Sequence, residues 1–290
     1  MPNQLYFWQV SDFKKINHIT LDDYITDFSL SMDGAYAAII NGNGKNKRLQ
    51  ILTLYHISTG NQVSFSIDSK VVSVAFCGDE LALGKRFDGK SNRIDVYDNK
   101  FTTLITQMEM PLAIMTTEFA LQLKYHGPTN LLASAGTGAI LWDMEAKKVI
   151  WNYFDIIKSD KKDLVNWPED IWESTCISFS PSGEYLAIGH WGNHDPNSEK
   201  VYLYSISKQQ VLGWCCPWGH AIDDVAISPN DQLIAGTGPS QFARIWDIET
   251  GALWAECELE GMSALTFSPD GKFFVTGADS PNSLVFWELS

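Results

Sequence analysis

The chain has 290 residues, 45% hydrophobic and 19% charged, which is enough apolar side chain to bury a sizeable core without disulfides or metals. Its 35 acidic against 21 basic residues leave a net charge of −14, which repels a phosphate backbone and argues against nucleic acid as a partner. No run approaches the roughly 18 apolar residues of a membrane helix, and Met1 to Val10 lacks the basic and apolar regions of a secretory signal, so no membrane role and a cytoplasmic location are expected.

In chain order, the first alternating segment is Leu5 to Val10, followed by a polar turn at Ser11-Asp12 and a second short apolar segment, Lys14 to Thr20. From Ile25 a longer unit begins: an alternating apolar run, a turn of Ser, Pro, Asp or Gly, and a second alternating run. Copies start at Ile25, Val71, Leu121, Cys176, Val225 and Leu265, making six. Period-two alternation on both sides of such a turn marks a β-hairpin. A third apolar run closes each copy and carries an aromatic, at Tyr55, Tyr97, Trp142, Tyr204, Trp246 and Trp287. After most of these a polar turn leads to a fourth run, giving four strands in a repeat of about 40 residues. The reading is all-β, with residues 1–290 forming one domain. A small four-stranded sheet hides its two faces only against neighbouring sheets, so the six aromatics are expected to fill the space between sheets. Cys77, Cys176 and Cys257 fall in these apolar runs, where a reduced thiol packs as a small hydrophobe, and the odd total of five cysteines suits a reducing compartment.

Trp142-Asp143 and Trp246-Asp247 end their strands as the WD dipeptide does in the WD-repeat family, with Trp287-Glu288 and Tyr97-Asp98 as near matches and Gly219-His220 standing where that family's Gly-His precedes a first strand. The chain therefore resembles the WD-repeat β-propellers from Ile25 to Leu289. The resemblance implies a single propeller of four-stranded antiparallel blades, six favoured and seven as the alternative. In that family a His, a Ser or Thr, an Asp and the Trp are often tied into one hydrogen-bonded network; here Ser240 stands at the Asp position of blade five, so cohesion is expected mainly from apolar packing. Residues 1–20 are expected to supply closing or edge strands, with 13–20 pairing beside 283–289. Leu5 to Val10 would then be an added outer strand or the remnant of a seventh blade.

The third-strand aromatics are spaced by 42, 45, 62, 42 and 41 residues, so the interval from Trp142 to Tyr204 holds about 20 residues beyond the repeat period. The excess falls at 155–174, between blades three and four, and at 189–200, between the second and third strands of blade four. In a propeller of this kind both connections, and the loop 213–221 leading into the next blade, emerge on one face. That gathers Trp167, Trp172, His190, Trp191, His194, Asp195, Trp214, Trp218 and His220 as a candidate partner-binding surface. Neighbouring acids, among them Asp155, Asp160, Glu169, Asp170 and Asp224, favour a basic peptide or protein as the partner of a monomeric scaffold. His190, His194 and Asp195 with Cys215, Cys216 and His220 contain metal-ligand residue types, but four-residue spacing on a loop does not align them, and neither a metal, a cofactor nor a catalytic residue is assigned. The alternative is a propeller enzyme or small-ligand binder using a central channel. Asp27, Lys124, Asp223 and Asp224 on the inner strands show no repeating pattern that favours it.

Overall fold

The computed structural model describes residues 3–9, 14–42, 49–86, 92–110, 121–136, 138–153, 173–191, 201–215, 222–238, 242–258, 261–279 and 282–289. They form β-strands joined by short turns. Strands β1 (Asn3–Gln9) and β2 (Lys14–Leu21) pair with each other as an antiparallel hairpin and constitute a sheet of their own. The six sequence repeats follow. The first is β3 to β6 (Ile25–Leu30, Tyr36–Gly42, Leu49–His56, Gln62–Asp68) and the second is β7 to β10 (Val71–Cys77, Glu80–Lys85, Arg93–Asp98, Leu104–Glu109). The third is β11 to β14 (Gln122–His126, Leu131–Ala135, Ile140–Asp143, Lys148–Asn152), with a 3-10 turn at Gly127–Thr129 between its first two strands. The fourth is β15 to β18 (Glu173–Phe179, Tyr185–Trp191, Val201–Ser205, Gln210–Cys215) and the fifth β19 to β22 (Asp224–Ile227, Leu233–Thr237, Phe242–Asp247, Leu253–Glu258). The sixth has three strands, β23 to β25 (Met262–Phe267, Phe273–Asp279, Asn282–Glu288). Every sheet runs in sequence order, as hairpin-connected strands must.

Among the described residues this makes seven sheets: five of four strands, one of three and the N-terminal pair. All six repeats read from the sequence are present, and the hairpin adds the seventh sheet that was the alternative count. β2 takes its partner from β1, with Leu5 opposite Ile19, and β25 takes its partner from β24, with Phe286 opposite Val275.

Two compact units are distinguished, residues 1–132 with 144–148 and residues 133–143 with 149–290. In the first, the hairpin lays Phe7, Ile19 and Leu21 on Ala37, Ile39 and Tyr55 of the first repeat, all buried. Phe7 stacks on Tyr55 at 5.5 Å, the Tyr55 hydroxyl donates to the His18 carbonyl at 3.1 Å, and Asn17 Nδ2 donates to the Ile57 carbonyl at 2.8 Å. The opposite face of the first repeat meets the second through Ile40, Leu52, Val74, Phe76, Leu81 and Leu83. The second unit repeats the device, with Trp246 among Val201, Leu203, Val225 and Ile227 between the fourth and fifth sheets, and Phe274 among Ala235, Ile245 and Leu265 between the fifth and sixth. Each such side chain contributes about 1.5–3 kcal/mol by leaving water. Of the six third-strand aromatics, Tyr55, Trp142, Tyr204 and Trp246 are buried, while Tyr97 and Trp287 pack at the margin of their clusters.

Polar contacts register these seams. The Asp27 carboxylate accepts the Ser73 hydroxyl at 2.6 Å and the Val74 N–H at 2.9 Å, and Ser73 Oγ accepts the Leu123 N–H at 3.0 Å, so one chain of hydrogen bonds runs through the first strands of three successive sheets. In the fifth sheet Asp224 accepts the Leu265 N–H of the sixth at 2.9 Å, which is the same contact. The absence of pattern read into the inner-strand acids is thus corrected, because Asp27 and Asp224 share one structural task. Within a sheet, the indole N–H of Trp142 donates to Ser134 Oγ and that of Trp287 to Thr276 Oγ1, each at 3.0 Å. Burial pushes the Asp27 carboxyl upward while Ser73 and Val74 hold it down. Truncating Asp27 to Ala leaves the Val74 N–H without its acceptor and is expected to lower the free energy of unfolding in urea by about 1–3 kcal/mol. Asp27→Asn, which keeps an acceptor, should cost less than half as much; equal losses would contradict the latch.

Candidate functional site

The sequence places its candidate surface at the loops around the fourth sheet. That sheet carries the roots of those loops along one end. Glu173 pairs with Trp191 and Ser174 with His190, so the end of the first insertion and the start of the second lie opposite each other in β15 and β16. Val201 pairs with Cys215 and Tyr202 with Trp214, which sets the end of the second insertion opposite the start of the loop that leads to the fifth sheet. The strands reach further into the supposed loops than expected: β16 extends through His190 to Trp191, and β18 through Trp214 to Cys215. Trp167, Trp172, His194, Asp195, Trp218 and His220 lie outside the described residues, as do Cys216 and the insertion acids from Asp155 to Asp170.

His190 is corrected outright. It was expected on an exposed loop, yet its side chain is fully buried in β16. Its ring meets Tyr202 edge-on at 4.8 Å and Tyr153 at 5.0 Å, and among the described residues neither Nδ1 nor Nε2 has a hydrogen-bond partner. Alternation explains the inward direction: Ile188 and His190 share a face of β16, and a residue expected in a loop inherits a core position once the strand runs on through it. Beside it, Trp151 of β14 stacks on Tyr204 at 4.0 Å, and Tyr153 meets Tyr202 at 5.8 Å. Tyr153 is the last described residue before the first insertion, and Tyr202 is the second after the other one. The insertions therefore spring from an aromatic platform of Trp151, Tyr153, His190, Tyr202 and Tyr204. Sequence reasoning missed Trp151, Tyr153 and Tyr202 as part of this site, although three aromatics in the four residues WNYF immediately before an insertion were a readable signal.

The electrostatics of the platform are those of a dry interior. Burial pushes the His190 imidazole down to about 3, raises the Tyr153 and Tyr202 hydroxyls, and takes Tyr204 up to about 12. A neutral, unpartnered imidazole between tyrosine rings supports packing better than proton transfer or metal ligation. Among the described residues no three His, Cys, Asp or Glu side chains converge on one point.

Comparison with known proteins follows the same lines. Residues 258–288, which span the sixth sheet, match the family pattern described as "WD domain, G-beta repeat". A solved structure described as "Crystal Structure of Mitotic Checkpoint Complex" contains a chain that superposes with a TM-score of 0.72 at 16% sequence identity, covering 99% of this chain and 82% of that one. The chain has the fold of a WD-repeat β-propeller. No curated protein matches its sequence.

The buried His190 makes a pH prediction with a definite sign. Its folded value of about 3 lies below the ordinary 6.5, so the unfolded chain takes up the proton first and stability is lost as pH falls below 6.5 toward 3. By pH 5 the loss from this one group is about 2 kcal/mol relative to pH 8. His190→Phe should remove that part of the acid-side decline in urea midpoints, the carboxylate contribution being common to both proteins. An unchanged decline would place the wild-type imidazole in water.

Proposed function

We propose that the chain is a non-catalytic interaction scaffold, monomeric and cytoplasmic, whose insertions around the fourth blade grip a basic peptide or the basic surface of a protein. One observation carries the reading: the roots of three tryptophan-bearing loops are paired side by side at one end of a single sheet, above an aromatic platform that fixes where each loop leaves. Tryptophan is the side chain most enriched in binding hot spots, and a rigid base reduces the entropy lost when such loops close on a partner. The net charge of −14 and the acids of the insertion suit a basic partner and disfavour nucleic acid. A WD-repeat fold also occurs in a chain of a protein complex, the mitotic checkpoint complex named above, which accords with a scaffold. Cys77 and Cys257 are buried thiols outside any disulfide, in keeping with a reducing compartment.

Against a channel enzyme stands the employment of the inner-strand acids: Asp27 and Asp224 are spent on hydrogen bonds between adjacent sheets and are not presented to a substrate. The test is capture of a cellular protein by the intact chain and by the triple variant Trp167→Ala, Trp191→Ala and Trp218→Ala, compared by mass spectrometry. Binding is expected to fall at least tenfold, as for the loss of a hot spot worth about 2 kcal/mol, with the melting temperature held within a few degrees. Capture that survives the triple change would move the binding surface elsewhere.

A further inference from the structure

One hairpin departs from the rest. In the first, fourth, fifth and sixth repeats the opening hairpin closes at Leu30 and Ala37, Phe179 and Leu186, Ile227 and Ile234, and Phe267 and Phe274, leaving six residues in each turn. In the second repeat Cys77 pairs with Glu80, and only Gly78 and Asp79 remain. Gly78 takes a positive φ of 64°, the left-handed conformation that a two-residue turn opening with glycine requires. The missing turn leaves a space. A groove of about 800 Å³ runs between the first and second sheets at this end, bounded by the full-length turn around Met32 and Asp33, the clipped turn at Gly78 and Asp79, and a floor of Leu54, Val63, Phe65 and Phe76. The counterpart between the fifth and sixth sheets measures about 460 Å³, with the full turn at Asp270-Gly271 on one side and Trp254 on the wall where the first repeat has Val63.

The larger groove is apolar inside and acidic at its rim. Met32 is 66% exposed, Val63 59% and Tyr36 44%, a cost in water that a partner would remove. The Ser31 hydroxyl and the Ala35 N–H hold Asp33 below the usual carboxylate range, so it is ionised. Asp79 is exposed on the clipped turn, and among the described residues neither Asp33 nor Asp79 forms an ion pair. Of the basic side chains in the lining, Lys100 already acts on Asp98, whose carboxyl is held down first by the Thr102 hydroxyl, and His56 adds weakly to the contacts that hold Asp33 down. Two carboxylates outside any ion pair among the described residues flank an exposed apolar trough.

We propose that this groove is a second docking site, which takes an extended peptide segment of a partner carrying one bulky apolar side chain and a Lys or Arg one or two positions away. The apolar side chain covers Met32 and Val63, and the cation sits between Asp33 and Asp79. Cation and apolar anchor have to be close in sequence because trough and acids share one rim. The site is independent of the loops at the fourth blade, since it uses none of their residues.

The probe is a bead-displayed library of random hexapeptides without cysteine, screened with the fluorescently labelled intact chain, with affinities of the selected peptides read by anisotropy. Selected peptides are expected to pair Leu, Ile, Phe or Trp with a nearby Lys or Arg, and to bind the triple Trp167, Trp191 and Trp218 variant as well as they bind the wild type. Val63→Trp, which imitates the bulk of Trp254 on a side chain already mostly exposed, should weaken them at least tenfold. Asp79→Lys, on an exposed turn away from the walls, should give a similar loss that grows smaller as salt is raised. The proposal is overturned if the selected peptides lack that pairing, if they bind both groove variants within twofold of wild type, or if their binding disappears only with the triple tryptophan variant.

Discussion

A four-stranded sheet of some thirty residues has two apolar faces and cannot hide either by itself. Every other feature of this chain follows from that constraint. The seams show it directly: Leu52 and Leu81 between the first and second sheets, Trp246 between the fourth and fifth, Phe274 between the fifth and sixth, all without solvent contact. Covering a face fixes the spacing of neighbours but not their offset. Offset is set by Asp27, Ser73 and Asp224, whose acceptors reach across to backbone N–H groups of the next sheet and would be left unmatched by a slip of one residue. Apolar area therefore supplies most of the cohesion and a few buried polar contacts supply the register.

The N-terminal hairpin obeys the same rule. β1 and β2 cover Ala37, Ile39 and Tyr55 of the first repeat with Phe7, Ile19 and Leu21. Two strands suffice to cover the inner part of a face. The hairpin's own outward side, with Tyr6, Trp8 and Ile16 between 44% and 52% exposed, is what a reduced sheet leaves behind.

Legibility in the sequence divided along physical lines. The six repeats and their strand order were readable because period-two alternation, Ser-Pro-Asp-Gly turns and a third-strand aromatic recur, and each is a local signal. The hairpin of Asn3–Gln9 with Lys14–Leu21 was readable only as two alternating segments around a polar turn, since alternation does not name the face a strand pair will cover. The location of the loop roots was readable from excess spacing alone. The burial of His190 was not, since a polar residue next to Gly-Asn-rich sequence carries no sign that its strand continues two residues further. The clipped turn at Gly78-Asp79 stood in plain view as FCGDELAL against the longer turns of the other repeats, but its consequence, an open groove, needs the neighbouring sheet in place.

The dependence of each sheet on its neighbour can be measured by native-state hydrogen exchange of Leu52→Ala. Leu52 belongs to the first repeat and is buried in the seam with the second. Removing it costs about 3 kcal/mol. If a sheet's cohesion comes from its neighbours, the slowest amides of β8 in the second repeat lose protection to the same extent as those of β4 in the first. Loss confined to β4, with β8 exchanging as in the wild type, would show that each sheet holds by itself and would contradict the account.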